Sequence, residues 1–199
     1  MSGAFPISTA QFESLGIKSI QNTIISKSVS GKKLARQIDG QRWGFTARII
    51  TAKRSDVYGQ LMAFIIKQRS GKENFTIVPP EVEDARGTAS GTPTGTASAG
   101  DTSITLGGTG TGTLKAGDFI KFANHSKVYM VVADQSDIST GTLTIEPPLT
   151  TAVSSSDIQY DDVPFTVYLT NDIQEFGVVG AGQDGTLLYQ FEFDVEEAL

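Results

Sequence analysis

Few residues in this chain have the types and spacing that catalysis or metal binding requires. Its 199 residues include no cysteine and a single histidine, His125. The absence of cysteine excludes disulfides, thiolate metal sites and a cysteine nucleophile, and a Ser-His-Asp triad would have to use His125. The sequence has no Gly-x-Ser-x-Gly motif, and His125 falls between two predicted strands. We therefore interpret His125 as a turn residue, with a pH switch as the alternative.

Two acidic pairs, Asp161-Asp162 and Glu196-Glu197, are the nearest approach to paired carboxylates. A glycosidase, for example, needs two carboxyl groups directed at one site. Adjacent residues of a strand point to opposite faces of the sheet. We therefore predict that neither pair forms a catalytic site.

Two loop sequences resemble ligand-binding motifs without completing them. Asp134 and Asp137 flank Ser136 as in a calcium loop, but the glycine and the terminal glutamate of that motif are missing. The glycine-rich run 107–112 lacks the Gly-Lys-Ser/Thr of a phosphate loop, and a predicted strand follows it. Both are predicted to be structural turns. The sequence thus predicts no catalytic, cofactor-binding or metal-binding residue, no cofactor, and a protein that is not an enzyme.

Charge is distributed unevenly along the chain. The formal net charge is −6, but residues 1–80 hold 12 basic and 4 acidic side chains, whereas residues 81–199 hold 4 basic and 18 acidic ones. An acidic chain is a poor nucleic-acid ligand, because phosphate contacts dominate that affinity. Two interpretations stay open: both sets are solvated faces, or the basic part of one copy meets the acidic part of another in a stack or ring.

One basic cluster is visible in the sequence, and it is formed by Lys32, Lys33, Arg36, Arg42 and Arg48. Single-stranded nucleic acid would need aromatic side chains on the same face as these cations. Alternation along the strand instead directs Trp43 and Phe45 to the opposite, apolar face. Trp43 is therefore predicted to be a core residue, and no direct readout of nucleic acid is expected.

The first part of the chain predicts strands followed by one helix. Strands are expected at 20–28, 32–38 and 42–50, with an Asp39-Gly40 hairpin turn before the third. Val57, Leu61, Phe64 and Ile65 then follow helical spacing. We expect this helix to end at Arg69-Ser70-Gly71, and a strand at 74–78 to stop at Pro79-Pro80.

The middle of the chain changes composition. Residues 87–117 contain nine glycines and nine threonines, so we expect 87–100 to be a flexible loop or linker. Short strands are predicted at 103–106, 119–122, 127–133, 142–146 and 157–160. Five short strands with tight turns favour a small barrel or sandwich.

The last part returns to longer alternating patterns, with strands at 164–169 and 186–195 and a hairpin turn at 183–185. The simplest topology pairs the two ends of the chain. The predicted fold is therefore mainly β: a β-sandwich with one α-helix, interrupted by an inserted small β-barrel-like domain. The predicted segments are an N-terminal arm at 1–19, the sandwich at 20–83 plus 161–199, and the insert with its Gly/Thr/Ser-rich loop at 84–160.

No targeting or membrane segment is predicted. No basic residue precedes Lys18, and the longest apolar stretch, 62–66, is far shorter than the ~20 residues that a membrane helix needs. We therefore expect no membrane association and synthesis in a cytoplasm.

A resemblance to a known family rests on two groups of stretches. The first comprises Gly40–Arg48, the helix end Lys67–Gly71 and Phe75–Pro80; the second comprises Leu114–Phe122 and Lys127–Asp134. Together they resemble tail proteins of tailed bacteriophages, of the distal-tail or baseplate-hub kind. The resemblance covers most of residues 20–197.

This resemblance implies a structural virion protein of a phage tail tip or baseplate. It implies that the sandwich domain forms a homo-oligomeric ring, commonly sixfold, connecting the tail tube to the hub or the host-recognition fibres. Implied partners are the tail tube protein, the baseplate hub and fibre proteins, with synthesis in the host cytoplasm. The charge distribution adds the expectation of salt-sensitive oligomers.

Two alternatives remain on the sequence alone. A carbohydrate- or receptor-binding β module would present exposed aromatic side chains on a concave face. A tail tube or terminator protein belongs to the same structural class and shares the strand pattern.

Overall fold

A six-stranded sheet and a closed six-stranded barrel contain all strands of the described residues except those of one separate two-stranded hairpin. The computed structural model describes residues 3–7, 11–38, 40–80 and 82–199. The barrel strands all lie between the fifth and the twelfth strand of the sequence, so the barrel interrupts the sheet. The mainly β class and the barrel-like insert are confirmed, as is a single α-helix within the described residues.

The elements before the barrel are β1 (Phe12–Ile20), β2 (Thr23–Lys27), β3 (Lys33–Gln37), β4 (Arg42–Lys53), α1 (Gly59–Lys67) and β5 (Phe75–Ile77). The barrel contains β6 (Pro93–Ala97), β7 (Ser103–Gly108), β8 (Phe119–Phe122), β9 (Val128–Val131), β10 (Thr142–Glu146) and β11 (Val153–Gln159). The chain then adds β12 (Phe165–Leu169), β13 (Gly177–Ala181) and β14 (Leu187–Glu197).

The large sheet has the order β1-β4-β14-β12-β5, and β13 pairs with the first half of β14. The two ends of the chain therefore pair, as expected. Where the sequence predicted a sandwich, one sheet holds these strands, because β14 pairs with both β4 and β12. Helix α1 supplies Leu61 and Ile65 to the core of this sheet.

Alternation along β4 and β14 builds that core. Phe45 and Ala47 of β4 lie opposite Val195 and Phe193 of β14, and all four side chains are buried. The intervening residues point to the other face, where β14 carries Glu192, Asp194 and Glu196 and β4 carries Thr46 and Arg48. The period-2 pattern of the sequence therefore correctly predicted the buried and the polar face.

The segment predicted as an N-terminal arm contributes to the sheet instead. Within 1–19, β1 pairs antiparallel with β4, and Phe5 contacts the rings of Phe64, Phe75 and Phe193. Its aromatic and aliphatic side chains gain more by joining the core than by remaining in water.

The strands β2 and β3 form a separate two-stranded hairpin, which we call the arm. β3 pairs with β2 and β4 with β1, so β3 and β4 do not form the hairpin predicted at Asp39-Gly40. Asp39 itself lies outside the described residues.

The helix is confirmed, but its termination differs from the prediction. The left-handed residues are Arg69 and Ser70, with φ of 53° and 58°, and not Gly71. A glycine is needed at 71 for another reason: a Cβ there would lie 2.6 Å from the carbonyl oxygen of Leu169. The turn therefore lies so close to the end of β12 that position 71 has no room for a side chain.

The barrel closes in the order β10-β7-β6-β11-β8-β9. Strands are present in all five places predicted for it. The sixth, β6, was missed because its sequence Pro-Thr-Gly-Thr-Ala lacks large apolar residues. Gly95 of β6 faces the interior, where a Cβ would lie 2.7 Å from Phe122 and 2.8 Å from Ile104.

The prediction of a flexible loop at 87–100 is wrong, because this segment contains the strand β6. The residues before β6 pair with those after β7. Ser90 and Thr111 exchange backbone hydrogen bonds of 2.9 Å. Their hydroxyls also pair, as do those of Thr92 and Thr109. Low apolar content did not prevent order here, because hydrogen bonds between the two segments satisfy the backbone.

Candidate interaction surfaces

The barrel and the sheet share a hydrophobic junction. Phe119 and Val128 of the barrel strands β8 and β9 belong to the core of the sheet. The ring of Phe119 lies 5.0 Å from Trp43 and 5.6 Å from Phe165, both edge-on. Trp43 is buried as predicted, and its indole N–H donates to the carbonyl of Val128 at 2.9 Å. The barrel is thus packed against the sheet and not merely tethered to it.

A buried ion pair lies in the same junction. Lys127 Nζ is 2.5 Å from Glu197 Oε2 and donates to Gln41 Oε1 at 2.8 Å. Glu197 also accepts the backbone N–H groups of Trp43 and Val128. Burial lowers the pKa of Lys127, and the adjacent Glu197 charge opposes that shift. Removing only one partner of such a pair strongly destabilises the folded protein, because the other charge stays buried without compensation.

Glu196 and Glu197 point to opposite sides of β14, as the strand argument predicted. Glu197 is buried, whereas Glu196 is on the outer face and pairs with Arg42 at 3.0 Å. On that face Lys18 and Asp194 pair at 3.3 Å. Basic residues of the first 80 positions therefore pair with acidic residues of β14 within one chain.

The basic cluster of the sequence is divided by the fold. Arg42 and Arg48 lie on the outer face of the sheet, where Arg48 pairs with Glu13 at 3.4 Å. The other three, Lys32, Lys33 and Arg36, belong to the arm. The single cluster predicted by the sequence is thus two surfaces.

The arm is exposed along its whole length. Every residue of β2 and β3 is exposed, and this includes the aliphatic side chains of Ile24, Ile25 and Leu34. Val29 at the turn is fully exposed. None of the four arm cations (Lys27, Lys32, Lys33 and Arg36) forms an ion pair with a described residue. An isolated two-stranded hairpin is at best marginally stable in water, so contact with another surface would stabilise the arm.

Two strand edges of the large sheet are open among the described residues. β1 pairs only with β4, and β13 pairs only with β14. They lie on opposite sides of the β4–β14 pair. β13 exposes Val178 and Val179. An open apolar edge is a template for pairing with another chain.

An acidic cluster lies where the chain enters and leaves the barrel. It consists of Glu83, Asp84, Asp161 and Asp162, and burial together with the neighbouring charges raises the pKa values of Glu83 and Asp161. The prediction that Asp161 and Asp162 point to opposite faces is wrong in its premise, because both lie after the end of β11 in a bend. The turn brings both near Asp84, whose Oδ1 accepts the backbone N–H of Asp162.

A groove beside this cluster separates the linker before the barrel from the turn before β8. It is lined by Val82, Asp84, Arg86, Ala116, Gly117, Asp118 and Phe119. We call it the linker groove. Within it, Asp118 is buried and pairs with Arg86 at 3.1 Å.

His125 is placed in the turn between β8 and β9. Its Nε2 lies 2.8 Å from the Tyr129 hydroxyl and its Nδ1 lies 2.7 Å from Asn124 Oδ1. Its ring stacks on Phe122. Burial and the charge of Lys121 lower the pKa of His125. Both ring nitrogens therefore have partners in the barrel wall.

The two aspartates of the calcium-like loop stabilise turns. Asp134 accepts Lys115 Nζ at 3.0 Å and the backbone N–H of Ala116 at 2.9 Å. Asp137 accepts the backbone N–H and the hydroxyl of Ser139. Over the described ranges, no group of three or more His, Asp or Glu residues could hold a metal ion.

Sequence reasoning predicted the two strands of the arm, but it missed the exposure of the arm, the Lys127–Glu197 pair and β13. The partners of the ion pair are far apart in the sequence, so no local pattern joins them. The arm did carry a signal, because its aliphatic residues do not alternate consistently with its cations. β13 is too rich in glycine and alanine for a strand pattern to be evident.

These features define the class of the fold: a mainly β chain in which an inserted barrel packs against a sheet with open edges. Residues 82–161 match the family model described as "Distal tail protein pb9, B domain". The matched segment contains all six barrel strands. The resemblance to distal tail proteins found in the sequence is thereby confirmed.

The match supports a structural role in a bacteriophage tail and a location in the virion. The family is one of structural tail proteins and is not known for catalysis. A search of curated proteins found no match. Among the described residues, no helix is long and apolar enough to cross a membrane.

Proposed function

We propose that this chain forms a ring in a phage tail tip or baseplate and connects the tail tube to the hub or the host-recognition fibres. The observation that carries the proposal is the pair of open edges, β1 and β13, on opposite sides of one sheet. Different edges favour head-to-tail contacts, and such contacts close into a ring when the rotation closes. Sixfold closure follows from the family resemblance.

In this proposal the two parts of the chain have separate tasks. Residues 20–83 plus 161–199, together with the strand β1 that pairs with them, form the ring, and the insert at 84–160 projects from it as a contact module. The matched segment, 82–161, supports these limits. The junction of Trp43, Phe119 and Phe165 supports a fixed direction for the insert, so that each copy presents it in the same way.

The alternative of a glycan-binding module finds less support. Such modules stack sugars on exposed aromatic rings, but every Phe, Tyr and Trp of the described residues is buried or half-buried. The other alternative is a tail tube or terminator protein. Cryo-electron microscopy of an intact particle would distinguish it by the position of this protein in the tail.

Native mass spectrometry over a range of protein and salt concentrations tests ring formation. We expect closed sixfold oligomers for the unmodified protein. The Val179→Lys variant should not form these oligomers, because a lysine on an edge strand opposes pairing. Val132→Lys is the control, since Val132 is similarly exposed but lies beyond the end of β9. A strict monomer at every concentration and salt, or rings unaffected by Val179→Lys, would contradict the proposal.

A further inference from the structure

We propose that the arm of one copy docks in the linker groove of the next copy. This inference rests on the proposed ring and names the two surfaces that meet in it. The occupant of the groove is therefore the β2–β3 hairpin of a second copy of this chain.

The arm has two exposed faces, each with an apolar component. The register pairs Ile24 with Arg36 and Ser26 with Leu34, which puts Ile24 and Leu34 on one face. Ile25 pairs with Ala35 on the other face. In the described part of the chain, the arm strands form a sheet only with each other. A surface with this much exposed aliphatic area gains free energy by contact with another molecule.

The charges of the arm identify what kind of surface it fits. Residues 21–38 contain Lys27, Lys32, Lys33 and Arg36 and no acidic residue. A cationic, aliphatic hairpin fits a groove that combines apolar walls with a carboxylate rim.

The linker groove has both properties. Val82, Phe119 and Asp84 line it. The one cation among its described lining residues, Arg86, is already paired with Asp118. Asp84, Asp161 and Asp162 are exposed, and none of them forms an ion pair with a described residue. The Oε2 atom of Glu83 is buried without a hydrogen-bond partner. The four carboxylates thus match the four arm cations in number, and no described residue forms an ion pair with them.

Zero-length crosslinking of a mixture of ¹⁴N- and ¹⁵N-labelled full-length protein tests the docking directly. A carbodiimide joins lysines to carboxylates that are in contact, and mass spectrometry separates crosslinks between copies from those within one copy. We expect mixed-label crosslinks from Lys27 or Lys33 to Asp84, Asp161 or Asp162.

Charge reversal gives the matching test in solution. Lys33→Glu and Asp84→Lys should each weaken association by at least about tenfold, whereas an equimolar mixture of the two variants should recover part of the loss. Lys67→Glu is the control, because Lys67 is an exposed cation at the end of α1.

The outcomes separate this inference from the proposed function. Oligomers whose mixed-label crosslinks exclude the arm, and which tolerate both reversals, would overturn the docking and leave the ring intact. A complete lack of mixed-label crosslinks in a strictly monomeric protein would overturn both.

Discussion

Lys127 and Glu197 come from different parts of the chain, and their charged atoms are 2.5 Å apart inside the junction between the barrel and the sheet. Both side chains are almost completely removed from solvent, with exposures of 2% and 0%. The pair connects the start of β9 to the last residue of β14. Each partner is therefore necessary for the other to be buried.

Glu197→Gln is expected to destabilise the protein strongly. The substitution leaves Lys127 buried without its counter-charge, which costs about 3–5 kcal/mol. Glu196→Gln, one residue away, removes only the partly exposed pair with Arg42 and should cost less than about 1 kcal/mol. Urea unfolding of the two variants measures both values. Equal decreases in the free energy of unfolding would contradict the argument that the buried pair contributes more to stability than the partly exposed one.

Gly95→Ala is expected to destabilise the barrel by about 1–3 kcal/mol, because the added methyl group must displace packed side chains. The nearest are those of Phe122 and Ile104 in the barrel interior. Gly177→Ala is the matched control, since a Cβ at 177 would meet nothing within 4 Å. Thermal unfolding followed by circular dichroism compares the two. A neutral Gly95→Ala would mean that the interior has room for a methyl group.

Asp161→Asn is expected to stabilise the monomer at pH 7. Burial and the charges of Asp84 and Asp162 raise the pKa of Asp161, so the ionised form opposes folding. The folded state then binds the proton more tightly than the unfolded state, and stability recovers as the pH falls through the raised pKa. The gain at pH 7, up to about 1 kcal/mol for an exposed group, should therefore disappear near pH 3.

Asp157→Asn is the control for this prediction, because Asp157 is an exposed residue of β11 outside the acidic cluster. Chemical unfolding at pH 7 and pH 3 provides the comparison. If the proposed docking is correct, Asp161→Asn will also weaken association, so the two readouts will move in opposite directions. Loss of stability at pH 7 would contradict the electrostatic argument.

Acidification from pH 7 to pH 5 is expected to reduce a stabilising contribution of His125. Burial and Lys121 lower the pKa of His125, so the folded state holds the ring neutral while the unfolded state protonates near its ordinary value of about 6.5. The contribution is therefore complete above that value and decreases as the pH falls below it. The stability of His125→Gln should depend less on pH over this range. An unchanged pH dependence would exclude the histidine as its source.

Much of the fold followed from local pattern, because alternation and helical spacing are decided by neighbours in the sequence. Strand β4, helix α1 and most barrel strands belong to this group. The ordered segment around Ser90 was not predictable in this way, since its order depends on hydrogen bonds with Thr111 across a chain reversal. β6 was missed because its small residues carry no strand pattern. Gly95 is required there by the close packing of Phe122 and Ile104, which are distant in the sequence.

The interaction surfaces were less predictable than the elements that carry them. The charge counts of the two parts of the chain were correct, but they did not reveal that Lys18 pairs with Asp194 while Lys33 has no such partner among the described residues. The pairing of β1 and β14 with β4 decides which cations of the outer face are neutralised. The sequence could therefore indicate an electrostatic contact but not its position.

The order of the strands also has a consequence for synthesis on the ribosome. All six strands of the barrel lie within residues 93–159, so the barrel can close as soon as that segment has emerged. The counter-charge of Lys127, in contrast, is the last residue of β14. A barrel that closes at that stage has an uncompensated lysine on its surface, and the ion pair that joins it to the sheet can form only after Glu197 has been added.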